Sequence, residues 1–132
     1  MIRLPTWLLL LPVLLLALPA HPTEASEYLY YRDVVIPPFK SMREFFDLPD
    51  RRGSYEVTVV SDSLGPLTFR VLRVQGEAER LEVRRRSYRI QNHLFQAAFD
   101  NRGGKDDLMV VIDNANPLQS ARVSLYVIEP PP

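Results

Sequence analysis

One side chain in the body of the chain has the make-up of a general base: His93, the other histidine being His21 near the start. Nucleophilic hydrolysis needs a hydroxyl or thiol whose proton an oriented base can take. The sequence has no cysteine and no Gly-x-Ser-x-Gly elbow. One imidazole cannot make a histidine-rich zinc site either, so His93 reads as a hydrogen-bonded strand residue and a small hydrolase is the last of the functional readings. Paired carboxylates serve a glycosidase only when they face each other across a cleft. Here they are scattered among turns and polar faces, where both members of any pair stay ionised.

Two loops are rich in oxygen: Asp100, Asn101, Asp106 and Asp107 around Gly103-Gly104, and Asp113, Asn114 and Asn116. Calcium wants six to eight oxygens in one cage. Neither loop has the Asp-x-Asp-x-Asp spacing, and Arg102 and Lys105 sit inside the first. Asx-turn chemistry accounts for both, and no metal or other cofactor is expected.

Binding residues are easier to nominate. Arg84, Arg85 and Arg86, followed by Tyr88 and Arg89, are the one concentrated run of charge. Such residues can clamp carboxylates or phosphates, with Tyr88 stacking on a sugar ring. The same run also suits a sheet edge charged against edge-to-edge pairing. On a strand Arg84 and Arg86 share one face and Arg85 points away. Tyr28 and Tyr30, with Tyr31 beside them, are candidates for an aromatic platform, and alternation places Tyr28 and Tyr30 on one face. The candidate binding set is therefore Arg84, Arg86, Tyr88, Arg89, Tyr28 and Tyr30.

What must position these residues is a sheet. In Ser54–Val74, Tyr55, Val57 and Val59 share one face; Leu67, Phe69 and Val71 do the same beyond the turn cluster Ser61–Pro66. That is the period of a strand with one wet side. Further strands are predicted over Glu27–Ile36, Met42–Leu48, Leu81–Ile90, His93–Asp100, Leu108–Ile112 and Ala121–Ile128. Pro37-Pro38 ends the first. Leu108–Ile112 is apolar on both faces, as in a central strand covered above and below. About eight short strands with frequent turns predict an all-β, antiparallel β-sandwich.

Length allows one domain. Sixteen acidic and sixteen basic residues cancel, which argues against a nucleic-acid binder. Arg3 followed by Trp7–Leu18, an apolar run of about a dozen residues, reads as a signal peptide over 1–20, too short to span a bilayer comfortably. Cleavage is expected after Ala20, with Ala25 as second choice, and a secreted or periplasmic location follows. A linker over 21–27, the sandwich over 28–129 and a proline tail over 130–132 complete the layout. No later apolar run is long enough for a transmembrane segment.

The stretch Ile36–Lys40, the alternating hairpin Tyr55–Val74, and Asp107–Asn114 followed by Ala121–Ile128 resemble the GOLD domain, an eight-stranded β-sandwich. Asn114 matches the Asn that ends that family's penultimate strand, while Asp107-Leu108 stands where the family has a Gly-Tyr-type start. The cysteine pair, coiled-coil stem and membrane helix of the cargo receptors in that family have no counterpart in these residues. What the resemblance implies is a jelly-roll or GOLD-like sandwich that binds protein. The expectation is thus an exported, non-enzymatic module binding another protein through a sheet face or edge, with carbohydrate binding as the alternative.

Overall fold

Alternating apolar residues produce eight antiparallel strands in a computed structural model that describes residues 28–131; the expected leader and the whole linker lie outside these. The strands are β1 (Tyr28–Ile36), β2 (Ser41–Phe46), β3 (Gly53–Ser61), β4 (Leu67–Gln75), β5 (Ala78–Ser87), β6 (His93–Asn101), β7 (Asp107–Asn114) and β8 (Ala121–Ile128). No described residue is helical. No helix among them is therefore long and apolar enough to cross a membrane.

Two four-stranded sheets result, ordered β1-β8-β3-β6 and β2-β7-β4-β5. Each consecutive pair from β1–β2 to β7–β8, apart from the β4–β5 hairpin, crosses from one sheet to the other, which gives the strand order of a jelly roll. The fold is an antiparallel β-sandwich.

Between the sheets lie Val57 and Val59 of β3, Phe69 and Val71 of β4, Val110 and Ile112 of β7, and Val123 and Leu125 of β8. Phe69 and Phe95 stack across the core with centroids 5.1 Å apart and planes 15° from parallel. Each such buried side chain contributes about 1.5–3 kcal/mol of hydrophobic stabilisation. All strands and the whole apolar cluster fall within Tyr28–Ile128, so this segment carries its own core and folds as a unit.

Two readings from the sequence need correction. The fifth strand ends at Ser87, so Tyr88, Arg89 and Ile90 stand in the β5–β6 loop. β7 is central, between β2 and β4, but no third layer of strands covers its outward side. Val111 is only 1% exposed there, flanked in register by Arg43 on β2 and Arg70 on β4.

Candidate functional site

The start of β1 departs from simple alternation. Tyr28 pairs with Ile128 and Tyr30 with Val127, so a β-bulge at Leu29 slips the register by one residue. A bulge turns every side chain on one side of it to the opposite face. Tyr28 consequently joins Tyr31 on the outward face of the first sheet, and Tyr126 of β8, the register partner of Tyr31, completes a trio. Ring centroids lie 5.2 Å apart for Tyr28–Tyr126, 5.0 Å for Tyr31–Tyr126 and 6.4 Å for Tyr28–Tyr31. The planes are tilted by 35–47°, making a faceted aromatic wall. Tyr28 is 60% and Tyr31 48% exposed.

Polar groups border it. The Tyr31 hydroxyl donates to both carboxylate oxygens of Asp33 at 2.9 Å, and Ser124 Oγ donates to Asp33 Oδ1 at 2.6 Å. Those hydrogen bonds, Ser124's first, hold the Asp33 carboxyl below its usual range, and the same carboxylate raises the Tyr31 phenol. Asp33 therefore stays an acceptor with lone pairs to spare. Thr58 continues the row from Tyr126, and Gln96 continues it from Thr58.

Tyr30 does not belong to this wall. Its ring packs 5.0 Å from Phe46 and its hydroxyl donates to the Asp47 carbonyl at 2.5 Å. Arg32 lies 5.8 Å over Tyr30 and 5.2 Å over Phe46 while pairing with Glu44 at 3.1 Å. This group closes the side of the sandwich where β1 meets β2.

The arginines occupy the other sheet. Arg84 and Arg86 face outward opposite Arg70 and Thr68, and Arg85, opposite Phe69, reaches the Gln96 carbonyl of β6. The Arg86 guanidinium lies 5.4 Å from the Tyr88 ring, and Arg89 stands in the loop beyond. Sequence reasoning thus named six residues, of which the fold brings Arg86 and Tyr88 together, sets Arg84 and Arg89 near them, and leaves Tyr28 and Tyr30 elsewhere.

Phe45, Met109, Leu72 and Leu81 form an apolar row across all four strands of that sheet. Arg43 on β2 and Glu79 on β5, the two edge strands, meet at 2.9 Å above it. Beneath their crossing, outward-facing Leu72 and Val74 are 7% and 8% exposed.

No protein-family model matches the chain, and no curated protein matches it. Solved structures do. PirA is 13% identical over 80% of this chain and 96% of that one, with a TM-score of 0.50. A CBM4 structure is 10% identical over 80% and 78%, TM-score 0.48. A family 16 carbohydrate-binding module is 11% identical over 70% of each, TM-score 0.38. What the likeness to PirA shows is a fold. The GOLD resemblance adds nothing beyond that β-sandwich.

The remaining chemical candidates are occupied. His93 is 2% exposed; its Nδ1 lies 2.6 Å from Ser87 Oγ and its Nε2 3.0 Å from the Ser63 carbonyl. Burial lowers its pKa. Asp106 bonds Arg73 and Gln75, and Asp107 accepts the Leu48 N–H at 2.9 Å. Asp113 is held by Arg70 at 3.0 Å, and Asn101, Asn114 and Asn116 cap main-chain groups. Among the described residues no cluster of His, Cys, Asp and Glu could hold a metal ion. Tyr126 escaped the sequence reading. Only the pairing of first and last strands reveals it.

Proposed function

We propose that this chain is a non-catalytic carbohydrate-binding module whose contact surface is the aromatic wall of the first sheet. The single observation that carries the reading is the trio Tyr28, Tyr31 and Tyr126. Tyrosine faces stack on the C–H faces of sugar rings, and neighbouring acceptors and hydroxyls fix orientation. Asp33, Ser124, Thr58 and Gln96 supply those groups beside the rings. The tilt between facets suits a chain of sugars that twists along its length. Export, inferred from the leader-like residues 1–20, would place the module among extracellular or envelope glycans.

Affinity electrophoresis of Ser26–Pro132 through gels holding xylan, β-glucan, galactan or soluble chitin tests this. Retardation by at least one polysaccharide, lost in Tyr31→Ala and Tyr126→Ala, is the expected result. Mobility unchanged in every gel, or retardation that survives both substitutions, overturns it.

A second reading, protein binding, is favoured by the apolar row Phe45–Leu81 on the opposite sheet, where Phe45 is 47% and Leu81 50% exposed. Loss of partner capture in Phe45→Ser and Leu81→Ser, with polysaccharide retardation absent, would select it.

A further inference from the structure

The four most exposed large apolar side chains among the described residues all lie at one end of the sandwich. They are Leu118 at 84%, Ile90 at 75%, Tyr88 at 74% and Phe39 at 70%, on three different loops. Leu64, from a fourth loop, is 37% exposed. The loops at the other end carry no exposed large hydrophobic residue: Leu48 there is buried at 2%, and the rest are charged residues, glycine and proline.

The four loops are tied into one surface. Asn116 is the knot: its carbonyl accepts the Phe39 N–H at 3.2 Å, and its Nδ2 donates to the Gly65 carbonyl at 3.1 Å. Its Oδ1 accepts the N–H groups of Leu118 and Gln119 at 2.8 Å. Leu64, Tyr88, Ile90 and Asn116 line a hollow of about 250 Å³ that joins the β3–β4 and β5–β6 loops. The prongs thus rise from one hydrogen-bonded base.

One prong is held there at a cost. Pro37 O accepts the Lys40 N–H at 3.2 Å, closing a turn with Pro38 and Phe39 at its corners, and Phe39 has φ +59°. In a turn of this kind the third position favours glycine. A bulky residue in left-handed backbone is strained, and its ring gains no core contact in return. Strain of this sort marks a functional position when the surroundings enforce it.

Charge identifies the occupant. These loops and the strand residues flanking them carry Lys40, Arg86, Arg89 and Arg122 outward. None of the four forms an ion pair within the described residues. Asp62 is the one acid without a partner there, since Asp113 is engaged by Arg70. Separate apolar prongs ringed by basic side chains fit a fluid anionic layer, which needs no matching pockets. We propose that this loop end docks on an anionic lipid bilayer. Phe39, Ile90 and Leu118 enter the boundary between headgroups and acyl chains, Tyr88 sits at headgroup level, and Lys40, Arg86 and Arg89 meet lipid phosphates.

This surface is separate from the sugar site. Eight strand steps take Tyr28 to Ile36 and five take Tyr31 there, roughly 26 and 17 Å at strand rise, so a bilayer at one end leaves the tyrosines facing solvent.

Vesicle flotation of Ser26–Pro132 tests the proposal. Phosphatidylcholine vesicles with and without phosphatidylserine are compared for the unchanged segment and for Phe39→Asn/Ile90→Ser/Leu118→Ser. Asparagine tolerates positive φ, so the triple variant keeps the fold, which its thermal midpoint verifies. The unchanged segment floats with phosphatidylserine vesicles and releases at high salt; the triple variant binds about tenfold or more weakly. Failure of the unchanged segment to float, or equal flotation by both, overturns the proposal. Self-association that the triple variant abolishes, without flotation, assigns the end to a second copy instead. Polysaccharide retardation is unaffected by these substitutions, so the two readings fail separately.

Discussion

Ser87 and His93 face each other across the β5–β6 turn, hydroxyl to Nδ1 at 2.6 Å, while the opposite ring nitrogen bonds the main-chain carbonyl of Ser63 at 3.0 Å. A carbonyl partner needs Nε2 to carry the proton, which makes Nδ1 the acceptor and Ser87 the donor. The arrangement looks like a nucleophile with its base, but Ser87 Oγ also accepts the Arg89 N–H at 3.4 Å, closing an ST-turn. The pair stitches two sheets together where the chain crosses between them.

That role makes stability pH-dependent. Burial, the leading cause, places the folded pKa of His93 below its ordinary value of 6.5. The native state therefore resists a proton that the unfolded chain accepts. The contribution is fully present above about pH 6.5 and is lost as pH falls through the folded value. The thermal midpoint should begin to drop as pH falls below about 6.5, and His93→Gln should flatten that limb.

Arg73 supplies a second test. Its side chain, 10% exposed, is held by Asp106 at 2.5 Å and Glu82 at 3.1 Å, with the guanidinium 4.4 Å from the Phe99 ring. Arg73→Ala leaves two carboxylates facing each other and should cost about 3 kcal/mol in urea unfolding. Arg73→Met with Asp106→Asn, which removes the charges and keeps the volume, should recover most of it. Hydrogen bonds from Arg73 lower Glu82, and lower Asp106 against its burial. The stability they add is present above the ordinary carboxylate range and disappears as pH falls through the depressed folded values.

Asn114 locks the loops. Buried at 2%, its Nδ2 donates to the carbonyls of Ile36, Pro37 and Gln119 at 3.0, 3.2 and 2.9 Å. Asn114→Asp turns a donor into an acceptor among three acceptors, so unfolding should become easier by about 3 kcal/mol or more. Asn114→Ala should cost about 2 kcal/mol.

The bulge at Leu29 predicts a clean separation between adjacent tyrosines. Tyr30→Ala should lower stability by about 2 kcal/mol through lost packing on Phe46 and leave polysaccharide retardation intact. Tyr31→Ala should do the reverse, with a stability change within about 0.5 kcal/mol. Chemical denaturation beside affinity electrophoresis reads both.

Strands β3, β6 and β8 were legible because each buries alternate residues against the opposite layer. Ala121–Ile128 is a strand with the predicted ends. The site was much less so. Nothing in Glu-Tyr-Leu-Tyr-Tyr marks a bulge, because the slip is fixed by the partner strand, so the face of Tyr28 was assigned with the wrong neighbour. Apolar Tyr88 and Ile90 extended the fifth strand on paper, although their 74% and 75% exposure marks a loop tip. Phe39 has no local signal beyond Pro-Pro, for its backbone angle is set by the turn that the prolines close.

The bar formed by Arg43 and Glu79 roofs the floor of the second sheet. Both members of that bar stand about half in solvent, at 49% and 41% exposure, so dissolved salt loosens it over Leu72 and Val74.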